Sequence, residues 1–411
     1  MLLGGTGLMC GAVETAKRLG IYTIVTDYFP NSPAKEIADK RYDISTTDIE
    51  ALVRMAQEEK IDGVFTGFLD VNLYSARALC DRLGLPFYAT REQLELTTNK
   101  LKFKQLCRKY GIPTVKQYEL DAACKQEQMK EISYPVMVKP ADSYASKGCS
   151  MCTNERELIE AVKKALSFSP SGQIIVEQYM DPNQYHDFAV YYTAKNGDIR
   201  LSAMSDRKLF IGSGGVAPLP VELRMPSRYL ADYCSKVNPL VQRMFREENV
   251  KNGTIFMQGF FTDTSFCFFE MGFRLNGAQE YIFITHATGN NALELYIHHA
   301  LAESSDAFVI EKENPAFPFC ACNLVVLLNP GVIAHCSGLK EIQQMPGVLH
   351  ISQLMKPGDT VGQVGTLQQV FARIHIVGKD WSEVDHIISA VKGRIKVEDS
   401  SGNNLIVKED N

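Results

Sequence analysis

A hairpin in the second half of the chain places an amide and a carboxylate where they could hold a metal ion. If a short loop joins its two strands, Gln258 lies opposite Glu270 and Phe260 lies opposite Phe268. Side chains paired in this way lie about 5 Å apart, and oxygen ligands suit Mg²⁺. We expect Gln258 and Glu270 to bridge one or two Mg²⁺ ions, with Arg274 balancing further negative charge. Alternation along the strands predicts one face that carries Phe256, Gln258, Phe260, Phe266, Phe268, Glu270, Gly272 and Arg274.

The alternative interpretation of this face is an ion pair between Glu270 and Arg274 that is exposed to solvent. Phenylalanines interleaved with the charges disfavour it, because an open face does not ordinarily carry them.

Lys139 ends an apolar strand, 136–139, and the loop after it, 141–148, has a composition suited to phosphate. This loop contains Ser143, Lys147 and Gly148. Backbone N–H groups and a lysine of this kind can cover a polyphosphate, although a strand-end lysine is more often only solvated. The pattern alone is therefore a weak indication of a phosphate site.

The next apolar strand ends at Glu177 and leads into an extended segment. The backbone of Gln178 and Tyr179 could meet the edge of an adenine, and Met180 could pack against its face. By itself this is an ordinary strand end.

The first ninety residues alternate strands and helices, which predicts a doubly wound parallel sheet. Strands are expected at 1–3, 22–26 and 63–66, with helices at 9–19 and 48–59. The turn at Gly5 and Gly7, with Asp27 after the second strand, leaves a dinucleotide-binding oxidoreductase as a remote alternative. Cys10 stands where the third glycine of that motif belongs.

The pattern changes near residues 91 and 311, so we expect three domains. They are an N-terminal α/β domain over 1–90, a middle domain over 91–310 and a small α+β domain over 311–411. The middle domain is expected to contain two short helices, strands 136–139, 174–178 and 188–192, and a long helix 228–247 before the hairpin.

Composition excludes several classes of protein. The 411 residues carry 43 Lys plus Arg against 48 Asp plus Glu, without a long basic run, which disfavours nucleic acid as a partner. The longest apolar stretch, 319–334, is interrupted by polar residues and a proline, so no membrane partner is expected. The start of the chain lacks the pattern of a secretory signal. The eleven cysteines are scattered, and Cys149 and Cys152 lack a second pair at zinc spacing, so reduced thiols and a cytoplasmic location are expected.

Together these segments resemble the ATP-grasp superfamily over nearly the whole chain, in the branch that contains biotin carboxylase, the carbamoyl-phosphate synthetase large chain and amino-acid ligases. The resemblance implies an α/β domain, a two-part ATP-grasp domain and a C-terminal α+β domain. It implies nucleotide contacts from Lys100, Lys139, Ser143, Lys147, Gly148, Glu177, Gln178, Tyr179, Met180 and Gln184, metal ligands at Gln258 and Glu270, and catalytic roles for Lys139 and Arg274.

This chain departs from the family pattern at three positions. Gln258 replaces an acid, Gly272 replaces the signature Asn, and Gln184 replaces a ribose-binding Glu. Metal binding is expected to be weaker than usual, or to be helped by Asn276. A nucleotide-binding relative without ligase activity therefore stays open.

The resemblance implies that the γ-phosphoryl group of ATP is transferred to a carboxylate with the help of Mg²⁺ or Mn²⁺, and that the acyl phosphate is then attacked by an amine. Ala278 stands where biotin carboxylase has its base, which disfavours a bicarbonate-activating reaction, and a carbamoyl-phosphate synthetase would need two grasp halves. We predict a carboxylate–amine ligase that acts on a small acid such as an amino acid. Its partners are expected to be small molecules, with a homodimer left open.

Four residues are candidates for substrate contacts. Asp70 and Asn72 lie in a segment similar to a family loop that faces the reaction centre, although a helix N-terminus would explain them equally well. Arg207 could bind a carboxylate through two hydrogen bonds, and His286 could line the pocket.

Overall fold

The computed structural model describes residues 1–143, 147–212, 218–362 and 364–408. Part of the expected phosphate loop and part of the glycine-rich stretch after Arg207 lie outside the described residues.

The first ninety residues form a small parallel sheet with helices around it, as the alternation predicts, but its third strand, 40–42, is one that the sequence analysis did not expect. The three strands pair in the order β1–β2–β3. The expected strand at 63–66 is reduced to a single bridge between Leu2 and Phe65. The elements are β1 (Leu2–Leu3), α1 (Cys10–Arg18), β2 (Ile24–Thr26), α2 (Pro33–Ile37), β3 (Lys40–Tyr42), α3 (Ile49–Glu58) and α4 (Asp70–Leu83).

The turn after β1 is shaped by packing. The Gly5 N–H donates to the Asp27 carboxylate at 2.7 Å, and the Phe29 N–H donates to its other oxygen at 2.9 Å. A Cβ on Gly5 would lie 2.4 Å from the Ser32 Cβ. The carboxylate that a dinucleotide ribose would need is thus already engaged by the backbone, and the oxidoreductase alternative gains no structural support.

The next segment forms a four-stranded antiparallel sheet in the order β4–β7–β5–β6. The apolar runs 136–139 and 174–178 become neighbouring strands, as their composition indicates. The elements are α5 (Arg91–Thr98), α6 (Lys100–Lys109), β4 (Gln117–Tyr118), α7 (Gln126–Met129), β5 (Val136–Pro140), β6 (Ser150–Cys152), α8 (Glu155–Ser167) and β7 (Ile174–Gln178).

The following segment carries the hairpin and the strands next to it. The single helix expected at 228–247 is two helices, because Pro239 has no N–H with which to continue the first one. The elements are β8 (His186–Lys195), β9 (Asp198–Phe210), β10 (Leu219–Met225), α9 (Leu230–Lys236), α10 (Asn238–Glu247), β11 (Gly253–Phe261), β12 (Phe266–Gly272), α11 (Tyr281–Thr288) and α12 (Ala292–Ala300).

The last hundred residues add strands to the same sheet. The large sheet has the order β12–β11–β8–β9–β10–β13–β18–β16, so hydrogen bonds between strands cross the expected boundary near residue 310. The elements are β13 (Cys320–Leu327), β14 (Gly331–Val332), β15 (His335–Ser337), α13 (Leu339–Gln343), β16 (Val348–Gln353), β17 (Thr360–Val361), β18 (Val370–Gly378), α14 (Trp381–Arg394) and β19 (Lys396–Glu398).

Two sequence-based expectations concern the chain as a whole. All eleven cysteines lie in the described part and are free thiols, which agrees with the expectation of reduced cysteines. Among the described residues, no helix is long and apolar enough to cross a membrane.

Candidate active site

One face of the eight-stranded sheet carries a row of polar side chains, here called the polar face. It is defined by the cross-strand register, because residues directly opposite each other share a face. Its members are Glu270, Gln258, Asp187, Arg207, Asn323, His375, Arg373 and Ser352. The predicted metal pair thus lies at one end of a polar row that continues across the sheet.

The register of the hairpin is confirmed at its polar pair and wrong beyond it. Gln258 lies opposite Glu270 as expected, but a bulge follows, so Gly259 lies opposite Phe268 and Phe260 opposite Cys267. The bulge divides the side chains that were expected on one face, because Phe266 and Phe268 belong to the buried core. The centroid of each ring lies 5.3 Å from that of Phe188. It is tolerated because Gly259 has no side chain where the Phe188 ring lies, 2.8 Å from a Cβ placed there.

The bulge also brings an aromatic ring to a predicted phosphate lysine. Phe269 is the extra residue of β12, and its ring lies 5.2 Å from that of Phe260. The ammonium of Lys139 lies 4.8 Å from the Phe269 ring centroid, within the range of a cation–π contact.

The missing asparagine of the family signature is explained by a neighbouring ring. A Cβ on Gly272 would lie 2.4 Å from two ring carbons of Phe256, which faces it across the hairpin. The Phe256 ring lies 5.0 Å from the guanidinium carbon of Arg274. Phe256 thus takes the space next to residue 272 and supports Arg274.

Arg274 and Asp70, which are far apart in sequence, form a two-pronged ion pair. Nε and Nη2 of Arg274 donate to the two Asp70 oxygens at 2.6 and 2.8 Å. Asp70 is the first residue of α4, and its side chain does not cap the helix. Burial opposes the charge of Arg274, but the Asp70 carboxylate outweighs it and raises the pKa of the guanidinium. Asp70 thus lies at the N-terminus of α4, as the alternative has it, and its carboxylate is engaged by Arg274.

Glu177 lies between two lysines in a buried cluster. Its oxygens lie 2.5 Å from Nζ of Lys104 and 2.6 Å from Nζ of Lys139, and the Glu177 and Lys104 side chains are each 1% exposed. Burial would raise the pKa of Glu177, but Lys139 and Lys104 outweigh it and lower the pKa. Burial lowers the pKa of Lys104, whereas the Glu177 carboxylate outweighs burial at Lys139 and raises its pKa. The sequence analysis missed Lys104, whose only signal is its position on the apolar face of α6.

A pocket of about 610 Å³ opens at the start of α6, and Lys104, Lys139 and Glu177 are not among the residues that line it. Residues that line it include Asp70, Lys100, Ser143 and Glu270. The Lys100 ammonium donates to the Ser143 carbonyl at 2.8 Å, which ties the start of α6 to the start of the phosphate loop. Four residues predicted for three different roles therefore meet at one pocket.

The rest of the predicted phosphate loop, and the segment expected to meet the adenine, have the following positions. Gly148 is buried at φ +77°, and a Cβ there would lie 2.8 Å from Pro140, so packing alone demands the glycine. The Gln178 N–H donates to the Lys116 carbonyl at 2.9 Å and the Tyr179 N–H to the Pro135 carbonyl at 3.1 Å. Met180 is buried and Gln184 is exposed on the turn after β7. Lys147 lies at the end of the loop, half-buried.

Three other predicted residues have structural partners. The Asn72 amide donates to the Leu3 carbonyl at 3.0 Å, which ties α4 to the end of β1. Asn276 accepts the Ala278 N–H at 2.8 Å, so its oxygen is engaged and the expected help with a metal is not supported. His286 is exposed and packs 5.0 Å from the Phe319 ring, apart from the pocket.

Arg207 lies on the polar face but already has a carboxylate partner. Its Nη1 donates to Asp187 at 2.9 Å, and both side chains are almost fully buried. Burial raises the pKa of Asp187 to about 6 despite the opposing charge of Arg207. The sequence analysis overlooked two further buried ionisable side chains, Glu280 and Arg373. The signal for Arg373 is a lone arginine inside the apolar strand 370–378.

Comparisons with known proteins identify related segments. Residues 99–206 match the family described as carbamoyl-phosphate synthase L chain, ATP binding domain, and residues 324–400 match L-amino acid ligase C-terminal domain 2. The 2-oxoglutarate carboxylase small subunit of Hydrogenobacter thermophilus is 27% identical over 201 residues, which are 44% of this chain and 42% of that protein. The match spans less than half the length of this curated relative.

Solved structures share the fold over nearly the whole chain. The L-amino acid ligase from Bacillus licheniformis superposes with a TM-score of 0.79 at 18% identity, over 97% of this chain and 98% of that chain. The biotin carboxylase domain of the Hydrogenobacter thermophilus 2-oxoglutarate carboxylase gives a TM-score of 0.78 at 17% identity, over 97% and 90%. The expected fold class is confirmed by these solved structures, and the match of residues 99–206 to an ATP binding domain agrees with the resemblance to ATP-grasp proteins.

Proposed function

We propose that this protein is an ATP- and Mg²⁺-dependent carboxylate–amine ligase that forms an acyl phosphate from a small carboxylic acid such as an amino acid. The observation that carries the proposal is the pocket of about 610 Å³ that Lys100, Ser143, Asp70 and Glu270 line together. Phosphoryl transfer to an acid requires positive charge for the phosphates and a site for a metal ion. These four residues offer a lysine for the phosphates, the start of the phosphate loop, a carboxylate for a metal and a carboxylate that holds Arg274.

Two lysines suit a triphosphate, and one of them, Lys100, lines the pocket. Lys139 is paired with Glu177 on one side and lies against the Phe269 ring on the other, so its ammonium has a defined position. Lys100 is fastened to the Ser143 carbonyl. We assign both lysines to the phosphates, and Ser143, Lys147 and Gly148 to the loop over them. The segment 177–180 is assigned to the adenine and Gln184 to the ribose.

The hairpin pair fits a hard divalent cation. Gln258 and Glu270 present an amide oxygen and a carboxylate across the strands, half-buried and next to the lysines. Among the described residues, no group of three or more His, Cys, Asp or Glu side chains is arranged around a metal position, so Glu270 would supply most of the negative charge. Mg²⁺ held there would neutralise charge on the transferring phosphoryl group.

We assign Arg274 to the reacting carboxyl group. Asp70 holds two of its nitrogens and the Phe256 ring supports its guanidinium. Because the position is set in advance, the arginine can stabilise developing charge without reorganising. Asp70 acts in this account as a positioning residue.

The named relatives support the choice of substrate class. The fold neighbour from Bacillus licheniformis is an L-amino acid ligase, and the C-terminal segment matches a domain family of such ligases. The neighbouring biotin carboxylase domain is described with MgADP and bicarbonate. Ala278 is buried, and its carbonyl accepts hydrogen bonds from the side chains of Asn323 and His375. Because an alanine side chain cannot take up a proton, residue 278 offers no base for bicarbonate. We retain the division near residues 90 and 310 and a homodimer as predictions.

The proposal is tested by measuring ADP release with Mg²⁺ across a matrix of the twenty L-amino acids as acids and amines, with bicarbonate as a control. Hydroxylamine in place of the amine should trap an acyl hydroxamate, because an acyl phosphate reacts with any good nucleophile. Lys139→Ala should release no ADP while its unfolding transition stays cooperative. Release of AMP, or turnover with bicarbonate alone, would contradict the proposal.

A further inference from the structure

One wall of the 610 Å³ pocket is formed by two side chains of α4 that have no role in the assignments above. Val71 and Tyr74 line the same pocket as Asp70, Lys100 and Glu270. Val71 is half-buried and Tyr74 is 39% exposed. Large side chains that line a pocket and stay open to solvent are available for contact with a ligand. These two residues are here called the α4 wall.

The ring of Tyr74 is held in place at its hydroxyl end. Its oxygen lies 2.7 Å from the hydroxyl oxygen of Thr98, the last residue of α5. The Thr98 hydroxyl itself donates to the Leu94 carbonyl at 2.8 Å, so Tyr74 is the donor to Thr98. Because its proton is engaged there, the ring is what Tyr74 offers to the pocket.

The α4 wall lies next to the residue that holds the catalytic arginine. Tyr74 follows Asp70 by four positions, and residues at this spacing share one face of a helix with their Cβ atoms about 5–6 Å apart. Asp70 accepts two hydrogen bonds from Arg274, to which we assign the reacting carboxyl group. The wall thus begins one helical turn from the contact that fixes Arg274, within reach of the side chain of a small acid.

Two other acids that line the pocket are already engaged. Glu95 forms an ion pair with Lys102, which lines the pocket as well. The Asp142 carboxylate accepts the Ser169 hydroxyl at 2.6 Å and the Ser171 N–H at 2.9 Å. A charged substrate side chain at the α4 wall would compete with these contacts, whereas an apolar one would leave them intact.

We propose that the α4 wall is the side-chain subsite for the acid, and that the acid is an amino acid with a large apolar or aromatic side chain. The Tyr74 ring offers a face or an edge to such a side chain, and Val71 adds aliphatic contact. The apolar area removed from water favours binding. The inference rests on the proposed function, because Arg274 defines where the carboxyl end of the acid lies. Tyr74 sets specificity and takes no part in phosphoryl transfer.

The experiment measures hydroxamate formation with MgATP, hydroxylamine and one of five acids: L-alanine, L-leucine, L-phenylalanine, L-aspartate or L-lysine. Wild type should have its highest kcat/KM with L-leucine or L-phenylalanine. In Tyr74→Ala, the ratio of kcat/KM for L-phenylalanine to that for L-alanine should fall about tenfold or more, because alanine is too short to use the ring.

Three further variants separate the ring from its surroundings. Tyr74→Phe keeps the ring and loses only the bond to Thr98, so it should retain most of the selectivity. Val71→Ala should lower the ratio for L-leucine over L-alanine, and it decides the question if Tyr74→Ala does not fold. Tyr22→Ala removes a tyrosine that is 62% exposed and does not line the pocket. This control should leave both ratios unchanged.

Higher kcat/KM of wild type with L-aspartate or L-lysine would overturn the subsite. So would an unchanged ratio in Tyr74→Ala, and a raised KM for MgATP at unchanged ratio would give the wall to the nucleotide instead.

If wild type forms no hydroxamate and releases no ADP with any acid, the proposed function fails. The subsite is then judged by thermal unfolding with MgADP. A midpoint raised more by L-phenylalanine than by L-alanine, with the difference lost in Tyr74→Ala, supports it, and equal midpoints contradict it.

Discussion

Lys104 and Glu177 form an ion pair of 2.5 Å in which neither side chain is more than 1% exposed. The second oxygen of Glu177 binds Lys139, which we assign to the phosphates. One buried carboxylate thus compensates two lysines. When bound phosphates interact with the Lys139 ammonium, we expect Lys104 to remain paired with Glu177. The end of β7 should then stay in place.

Glu177→Gln should destabilise the protein strongly, because it leaves two buried lysines without a counter-charge. We expect the free energy of unfolding to fall by about 3–5 kcal/mol, measured by urea denaturation. Asp198→Asn, which breaks the exposed pair with Arg200, should change it by less than about 1 kcal/mol. Equal effects of the two substitutions would show that the Lys104–Glu177–Lys139 cluster contributes no more to the free energy of unfolding than an exposed ion pair does.

Glu270→Gln should reduce turnover more than Gln258→Ala. Glu270 is the only charged member of the hairpin pair, so its loss removes the charge that attracts a divalent cation, whereas Gln258 contributes one neutral oxygen. The measurement is ADP release over a range of Mg²⁺ concentrations. Wild-type activity of Glu270→Gln at low Mg²⁺ would contradict a metal site at this position.

Gly272→Asn should not restore the family signature but impair the protein. The new side chain would meet the Phe256 ring, from which a Cβ at this position is only 2.4 Å away, and the ring would be displaced from Arg274. We expect a loss of about 1–3 kcal/mol in the free energy of unfolding together with a lower kcat. In the double variant Phe256→Ala/Gly272→Asn the steric conflict is relieved, so a destabilisation equal to the sum of the two single variants would contradict this account.

His375→Gln should reduce the loss of stability in acid. Burial lowers the pKa of His375 from 6.5 to about 3, so between these values the unfolded chain binds a proton that the folded protein does not. Stability is therefore lost as the pH falls below 6.5, by up to about 1.4 kcal/mol per pH unit from this group. Urea titrations of the variant and wild type at pH 7, 6 and 5 should converge with falling pH. The exposed His335→Gln is the control, and a constant difference between His375→Gln and wild type would contradict the assignment.

Local patterns predicted the parts of the site that depend on neighbours in sequence. The strands ending at Lys139 and Gln178 follow from apolar runs, and the pairing of Gln258 with Glu270 follows from one short hairpin. The bulge at Gly259 could not be predicted, because it depends on the Phe188 ring of another strand.

Contacts between distant segments could not be predicted from the sequence for the same reason. Asp70 and Arg274 are separated by 204 positions, and nothing local indicates that one would hold the other. Lys104 resembles any lysine on a helix until Glu177 is placed beside it. Arg373 was visible as a lone charge in an apolar strand, but only the sheet register brings it to the polar face.

The most direct test of γ-phosphoryl transfer to a carboxylate follows the oxygen atoms. Turnover is run with ATP, Mg²⁺ and an acid labelled with ¹⁸O in its carboxylate, and the released phosphate is analysed by mass spectrometry. An acyl phosphate intermediate predicts ADP and phosphate that carries one ¹⁸O atom from the acid. Unlabelled phosphate, or AMP with pyrophosphate, would contradict the mechanism.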